Sequence, residues 1–238
     1  MEMIRVEEIT KNYKKVRALK GVSLSIEEGE LFGLLGVNGA GKTTIIKILS
    51  GLSKCDSGKA YINGFGLDQI DEIKKIIDVS PQETAVAMNL TVKENLEFFQ
   101  SLYDSKDEVY LDSIVNSFGL EEVLDQKAKT LSGGWQRRLS IAIGLISKPK
   151  VLFLDEPTLG LDVLARRELW RSIQGLKGKM TIVLTSHYLE EIEALCDRVA
   201  IMYKGEIKAI GTIDEIKKEA NEESFEEAFV RIVEGERR

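Results

Sequence analysis

The stretch that decides the fold is Gly36-Val37-Asn38-Gly39-Ala40-Gly41-Lys42-Thr43-Thr44. An apolar run, Leu31–Leu35, precedes it and predicts a short buried strand. Apolar residues at helical spacing follow it, at Ile45, Ile48, Leu49 and Leu52. A strand, a glycine loop and a helix in this order are the setting in which G-x-x-x-x-G-K-[ST] forms a phosphate-binding loop. The alternative, a glycine turn with an incidental lysine, does not explain this flanking pattern.

Each part of this loop suits one feature of a bound triphosphate. The glycines let backbone N–H groups approach phosphate oxygens, and the helix N-terminus adds a partial positive charge. Lys42 supplies a full charge for the β- and γ-phosphates, and the Thr43 hydroxyl is suited to bind Mg²⁺. We therefore expect a nucleotide to be bound by Gly36, Asn38, Gly39, Ala40, Gly41, Lys42, Thr43 and Thr44.

A second signal is a strand that ends in two acids. Residues 151–154 are all apolar, and Asp155 and Glu156 follow them. In an open α/β sheet, ligands bind at the carboxyl ends of the strands. Asp155 is then placed to hold Mg²⁺, and Glu156 to activate a water molecule that attacks the γ-phosphate. A strand that merely ends in acids is the alternative, which the neighbouring phosphate loop disfavours.

A third signal is the segment Leu131-Ser132-Gly133-Gly134-Trp135-Gln136. Ser132 is a good helix N-cap, and the two glycines expose the first amides of the helix, which makes a second anion site. One active site rarely needs two phosphate-binding segments so far apart in sequence. We therefore expect this segment to serve the nucleotide of a neighbouring chain.

The single histidine, His187, follows the apolar strand predicted over 181–184. A lone histidine is more often a surface or core residue, but its place at a strand end favours a role at the phosphates. Tyr13 lies among Lys11, Asn12, Lys14 and Lys15, where a surface tyrosine is also expected. Gln82 gains significance only from its position after the strand predicted over 76–79.

Short strands and helices alternate along the chain, which predicts an α/β fold. Further strands are predicted at Val22–Ile26 and 199–202, with a hairpin turn at 203–206. Between 83 and 149 we find helical patterns alone, including a capping box at Thr91 and Glu94. The predicted apolar faces are Val92, Leu96, Phe99 and Tyr103, then Leu111, Ile114, Val115 and Phe118. Near the end, Ser224 and Glu227 cap an amphipathic helix that we expect to pack on the core of this chain rather than on a partner.

Composition narrows the class of protein. The 238 residues carry a net charge of -6, which disfavours a nucleic-acid partner, and no apolar run is long enough for a membrane span. The first residues lack the apolar stretch of a signal peptide. Cys55 and Cys196 have no metal-like spacing and fit a reducing cytoplasm. We therefore expect a cytoplasmic chain that reaches a membrane through a protein partner.

Taken together, these segments resemble the ATP-binding cassette (ABC) ATPases over essentially the full length, with the motifs in the family's order. The resemblance identifies 36–44 as the Walker A loop, Gln82 as the Q-loop glutamine and 131–135 as the signature. It identifies Asp155 and Glu156 as Walker B and the catalytic glutamate, Asp162 as part of the D-loop, and His187 as the switch histidine. Tyr13 lies where the family places the aromatic side chain that stacks on adenine.

The resemblance implies a P-loop NTPase (RecA-like) α/β core, with an N-terminal antiparallel β subdomain and an inserted α-helical subdomain. Residues 1–82 and 150–238 would form the core with the β subdomain, and 83–149 the helical subdomain. It further implies that ATP and Mg²⁺ bind between two cassettes, in a homodimer or heterodimer. Mg²⁺ would contact Thr43, Gln82 and Asp155. The catalytic residues would be Lys42, Gln82, Glu156 and His187, and the partner's Ser132, Gly133, Gly134 and Asp162 would complete the site.

The family also implies a separate multi-span membrane permease, docked near Gln82 and residues 83–103, with the chain peripheral on the cytoplasmic face of the membrane. Trp135 departs from the usual signature glutamine. This departure, together with the short tail at 225–229, resembles ATPase subunits of exporters of drugs, antibiotics or polysaccharides. The alternatives are a soluble single-cassette ATPase in cofactor or cluster assembly, and a nucleotide-binding regulator without turnover. The joint presence of Lys42, Asp155, Glu156 and His187 argues against the regulator.

Overall fold

The structure is a computed structural model that describes residues 1–103 and 107–235. Within these ranges two β-sheets are present, one antiparallel and one mixed. The strands are β1 (Glu2–Tyr13), β2 (Val16–Glu27), β3 (Leu31–Leu35), β4 (Ser57–Ile62), β5 (Phe65–Gly66), β6 (Ile77–Ser80), β7 (Val151–Asp155), β8 (Thr181–Ser186), β9 (Arg198–Tyr203) and β10 (Glu206–Gly211).

Helices connect most of these strands, and the described residues between β6 and β7 form no strand. The α-helices are α1 (Lys42–Leu49), α2 (Ile70–Lys74), α3 (Val92–Gln100), α4 (Glu108–Phe118), α5 (Gly133–Leu145), α6 (Val163–Gln174), α7 (Leu189–Leu195), α8 (Ile213–Ala220) and α9 (Phe225–Glu234). Short 3₁₀ turns lie at Leu67–Gln69, Leu120–Val123 and Ala128–Thr130.

The larger sheet has the order β10-β9-β3-β8-β7-β6. Its strands are parallel except for β10, which returns from β9 through the hairpin that the sequence predicts. The smaller sheet has the order β2-β1-β4-β5 and is antiparallel. The predicted α/β fold class, with an antiparallel N-terminal sheet beside a parallel core, is confirmed.

The buried parallel strands separate two hydrophobic cores, because successive side chains of a strand point to opposite faces. In β7, Leu152 and Leu154 belong to a core shared with the helices between β6 and β7. Val151 and Phe153 belong to the other core, which α1 and the antiparallel sheet complete. The sheet thus holds both layers in place around the carboxyl ends of its strands.

The predicted ends of several strands and helices are wrong by a few residues. The strand predicted over 76–79 is observed one residue later, as β6. Leu52 lies outside α1 and is 71% exposed, because the left-handed Gly51 (φ 74°) ends the helix after Ser50. Tyr103 likewise lies beyond α3, whose C-cap is Ser101.

The predicted caps and the packing of the last helix are confirmed. Thr91 and Glu94 form the capping box of α3, with N–O distances of 2.7 and 3.1 Å. The Ser224 hydroxyl accepts a hydrogen bond from the Glu227 backbone N–H. Phe225 and Ala228 of α9 are buried in the same core as the parallel sheet, so this helix packs on its own chain.

Candidate nucleotide site

A cavity of about 760 Å³ opens where several strands of the larger sheet end. It brings together residues that are widely separated in sequence: the glycine loop after β3, Gln82 after β6, Glu156 after β7 and His187 after β8. The lining residues that the sequence predicts are Asn38, Gly39, Ala40, Gly41, Lys42, Thr43, Thr44, Gln82, Glu156 and His187. The volume is within the range of sites for nucleotide-sized ligands.

The loop has its shape because two of its glycines leave no room for a side chain. A Cβ atom on Gly36 would lie 2.3 Å from the Met202 carbonyl oxygen of β9. Gly41, the N-cap of α1, has a φ of 109°, and a Cβ atom there would lie 2.9 Å from the Ala18 carbonyl oxygen. The loop is therefore held between β9 and β2, with the N-terminus of α1 at the cavity.

Three functional side chains form a connected row at the base of the cavity. The Lys42 ammonium is 4% exposed, donates a hydrogen bond to the Gly36 carbonyl (2.7 Å), and lies 3.3 Å from Glu156 Oε1. The other carboxylate oxygen, Glu156 Oε2, lies 2.8 Å from His187 Nδ1. Glu156 thus shares its two oxygens between a cation and an imidazole, both at the place where a γ-phosphate is expected.

A second cluster lies beside this row. The Thr43 hydroxyl donates to Asp155 Oδ1 at 3.0 Å, and the fully buried Thr185 donates to the same oxygen at 2.6 Å. The Thr185 oxygen also accepts a hydrogen bond from the backbone N–H of Glu156. Thr185 therefore holds both acids of the strand end, and the hydroxyl of Thr43 lies next to the carboxylate of Asp155.

Gln82 is exposed and lies between two cavities. It contributes to the phosphate cavity and to a neighbouring cleft of about 470 Å³ lined by Gly133 and residues 159–161. The buried Arg137 of α5 donates to the carbonyl oxygens of Pro81 and Gln82, each at 2.5 Å. The first turns of α5 and the segment around Gln82 are therefore joined.

The signature segment does not reach the phosphate cavity of its own chain. Ser132 occupies the N-cap position of α5, as predicted, but its exposed side chain makes no capping hydrogen bond. Ser132, Gly133 and Gly134 are absent from the wall of the phosphate cavity, as is Asp162. Asp162 caps α6 instead, by accepting hydrogen bonds from the backbone N–H groups of Leu164 and Ala165.

Tyr13 is also outside the lining of the cavity. It ends β1, is 43% exposed, and its hydroxyl lies 3.4 Å from the Ser53 hydroxyl. The ammonium of Lys11 lies 5.2 Å from the centre of its ring. Stacking on adenine remains a prediction for this residue.

Trp135, which departs from the usual signature, makes contacts of its own. Its ring lies 4.5 Å from the Arg138 guanidinium carbon, and Arg138 forms an ion pair with Glu168 of α6. The aromatic ring therefore packs along α5, against the core that includes this helix. Ser132 and Gly133, at the start of the same helix, are exposed.

Several residues of the site escape prediction from the sequence, among them Thr185, Arg137 and Lys204. Thr185 and Arg137 are polar residues within apolar elements, which is a detectable signal in the sequence. Their hydrogen-bond partners, however, depend on the strand order. Lys204 lines the cavity because the β9–β10 turn is joined to the loop: the Gly205 N–H donates to the Ala40 carbonyl at 3.0 Å. Nothing in the local sequence indicates that contact.

Several known proteins are similar in sequence to this chain. The family model described as ABC transporter matches residues 19–159. The Linearmycin resistance ATP-binding protein LnrL of Bacillus subtilis (strain 168) is 40% identical over 215 residues, which cover 88% of this chain and 69% of LnrL. The Probable multidrug ABC transporter ATP-binding protein YbhF of Escherichia coli (strain K12) is 35% identical, covering 97% of this chain and 42% of YbhF.

Human Phospholipid-transporting ATPase ABCA3 is 40% identical over 217 residues, but the chain spans 13% of its length. Among solved structures, an ATP binding subunit of an ABC transporter has a TM-score of 0.85 and 30% identity, over 97% of this chain and 99% of that one. A dimeric post-hydrolysis state of the ATP-binding cassette MJ0796, bound to ADP and Pi, has a TM-score of 0.78 and 27% identity, over 88% and 98%.

Proposed function

Because this chain belongs to the ABC transporter family and is an ATPase of that family, we propose that it drives export of a substrate across a membrane through a separate permease. The observation that carries ATP hydrolysis in this proposal is the row of Lys42, Glu156 and His187 at one nucleotide-sized cavity. A charge for the phosphates, a carboxylate base and a second polar contact are the groups that hydrolysis of a triphosphate needs.

The residues fit a magnesium ion bound together with ATP. The Thr43 hydroxyl, which lines the cavity, lies 3.0 Å from the buried carboxylate of Asp155, and oxygen ligands of this kind suit Mg²⁺. No cluster of three or more His, Cys, Asp or Glu side chains for a metal ion is found within residues 1–103 and 107–235. Phosphate oxygens, water and Gln82 would complete the ligand set. When bound, Mg²⁺ neutralises charge that develops on the phosphates.

Residues of the chain itself have separate roles in ATP hydrolysis. An incoming γ-phosphate competes with Glu156 for Lys42, because both are anions that seek the same ammonium group. Glu156, released from Lys42, accepts a proton from the attacking water as the water oxygen bonds to the γ-phosphorus. The bond between the γ-phosphorus and the β–γ bridging oxygen breaks, and ADP leaves with that oxygen. His187 contacts the γ-phosphate and, through its contact with Glu156, orients the base.

A second copy of the chain, or a related cassette, supplies Ser132, Gly133, Gly134 and Asp162. This assignment is supported by the exposed signature segment, which does not line the phosphate cavity of its own chain. The similar cassette MJ0796 is a dimer in its post-hydrolysis state with ADP and Pi, which also supports it. Closure of the two cassettes around ATP then converts binding energy into subunit motion. The helical segment 83–149, joined to Gln82 by Arg137, is the part that transmits this motion.

The partner outside the cassettes is a multi-span permease, so the chain acts on the cytoplasmic face of a membrane. In the described part of the chain, no helix combines the length and the apolar composition of a bilayer span. The relatives include resistance and multidrug proteins, which supports export. The permease docks near Gln82 and residues 83–103, where Met88, Phe98 and Leu102 are exposed.

The test is the Glu156→Gln variant. The amide keeps the size of the side chain but cannot accept the proton, so hydrolysis should slow by about 10²–10⁴-fold. It also removes the anion beside Lys42, so ATP binding should be retained and an ATP-bound dimer should accumulate. Phosphate release and light scattering with and without ATP measure both effects. The matched control is Glu72→Gln, an exposed acid on α2, which should behave as the unmodified chain. Near-normal turnover in Glu156→Gln, or a variant that stays monomeric with ATP, would remove Glu156 from this role.

A further inference from the structure

A buried carboxylate behind the site has no part in the functions described so far. Glu191 lies on α7, one helical turn beyond His187, and is 0% exposed. Burial raises its pKa, and the hydroxyls of Ser186 and Thr158, the indole of Trp170 and the charge of Arg166 oppose that shift. A buried acid is costly unless its oxygens are hydrogen-bonded.

One oxygen of this carboxylate joins α7 to α6. The Trp170 indole N–H donates to Glu191 Oε1 at 3.1 Å. Helix α6 begins directly after the turn at 159–162, and Asp162 caps it with two hydrogen bonds. Glu191 therefore connects the helix that follows His187 with the helix that follows the turn expected to face the second cassette.

The other oxygen faces the segment after Glu156. Glu191 Oε2 and the hydroxyl oxygen of Thr158 are both buried, and neither has a hydrogen-bond partner. Thr158 is 1% exposed and lies two residues after Glu156, close enough to the Glu191 carboxylate to lower its pKa. A hydroxyl hydrogen rotates freely, so a small displacement of this segment completes the bond between them.

A purely structural role explains these features poorly. An apolar side chain at position 191 would avoid the free-energy cost of burying a carboxylate with only one hydrogen-bonded oxygen. Replacing both partners of a buried hydrogen bond by apolar groups is nearly neutral for stability. Costly polar contacts of this kind are concentrated at functional sites. The three elements that meet at Glu191 are those that follow Glu156, Asp162 and His187.

We propose that Glu191 is a positioning residue for ATP hydrolysis, which holds Thr158 and Trp170 so that Glu156 and His187 keep their relative placement when the cassettes close. This inference rests on the proposed roles of Glu156 and His187. Glu191 is fully buried and does not line the phosphate cavity. Replacing Glu191 should lower kcat and leave the KM for ATP nearly unchanged, because Glu191 does not contact the phosphate loop.

The experiment compares kcat, KM and thermal stability of four variants. Glu191→Ala should lose about 10- to 100-fold in kcat, the cost of a misplaced catalytic group. Glu191→Gln keeps an acceptor for Trp170 and gains a donor for Thr158, so its kcat should stay near that of the unmodified chain. The control Glu190→Ala changes the neighbouring exposed acid and should leave kcat unchanged.

The fourth variant separates positioning from stability. Glu191→Met combined with Trp170→Phe removes both partners of the hydrogen bond, so the chain should stay folded and yet remain as slow as Glu191→Ala. Normal kcat in this double variant, or a loss in Glu191→Ala that only follows the fraction of folded protein, would overturn the proposal. Normal turnover in Glu156→Gln would instead contradict the proposed function, so the two failures are distinguishable.

Discussion

At the scale of single residues, the cation of the phosphate loop has a partner within the chain, because Lys42 Nζ lies 3.3 Å from Glu156 Oε1. Glu156 has a φ of 48°, in the left-handed region that residues other than glycine rarely adopt. Its backbone N–H is held by Thr185 and its carboxylate by Lys42 and His187. Strain of this kind is typical of functional sites, where surrounding contacts maintain it. In the proposed mechanism, the γ-phosphate competes for Lys42 with the Glu156 carboxylate, which is then the base.

The adenine contact of Tyr13 is a prediction at this scale. Base–aromatic stacking contributes about 1–3 kcal/mol. Tyr13→Ala should therefore weaken ATP binding severalfold or more, whereas Tyr13→Phe, which loses only the contact with Ser53, should not. Calorimetric titration with ATP measures both constants. Equal affinities of the two variants would show that the ring does not stack on the base.

The sequence predicts the residues of this site that belong to recognisable local patterns. Strand ends and a glycine loop identify Lys42, Asp155 and His187, and the structure brings them to one edge of the sheet. Thr185 and Glu191 are not identified in this way. Their partners lie on neighbouring strands and helices, so their contacts depend on strand order, which local patterns do not contain.

At the scale of elements, alternation and capping predict most of the sheet and several helix starts. The antiparallel strand β1 escapes detection because its alternation is interrupted. Glu8 has a φ of 52°, and the pairing with β2 shifts between Val6 and Ile9. Such a bulge moves the apolar residues from even to odd positions. The apolar stripes of α1 and α3 extend beyond the helices, because Leu52 and Tyr103 follow the residues that end them.

A prediction for the contact between β6 and α5 concerns Asp78. Burial raises the pKa of Asp78 to about 6, although the Val79 N–H and the Ser147 hydroxyl lower it. The folded state therefore holds this proton more tightly than the unfolded state, and stability falls as pH rises from about 4 to above 6. Asp78→Asn should remove that loss, with a gain of about 1–3 kcal/mol at pH 8 and a smaller gain at pH 5.

Urea unfolding of the unmodified chain and of Asp78→Asn, each at pH 5 and at pH 8, measures this difference in the free energy of unfolding. Asp107→Asn is a control of opposite sign, because the Lys148 ammonium and the Tyr110 N–H lower the pKa of Asp107. That substitution should reduce stability by a similar amount at pH 5 and pH 8, because the lowered pKa leaves Asp107 ionised at both values. A gain for Asp78→Asn that is the same at pH 5 and pH 8 would show that ionisation of Asp78 does not limit stability.

At the scale of the whole molecule, one chain presents two glycine-rich segments that do not meet. Lys42 lies in the phosphate cavity, whereas Ser132 is exposed at the start of α5 and absent from its wall. The parallel sheet and its two cores fix this separation. Under the proposed sharing of the site, a complete site needs two chains, and binding of ATP would bring the two cassettes together.

Complementation between two inactive variants tests this sharing of the site most directly. Lys42→Ala and Ser132→Arg should each be nearly inactive alone. In a mixed dimer, Lys42 from one chain and Ser132 from the other form one intact site. Phosphate release from an equal mixture should therefore recover to about a quarter of the normal rate, because half of randomly paired dimers are mixed and each holds one working site. No recovery, while light scattering shows mixed dimers in ATP, would contradict a site shared between two chains.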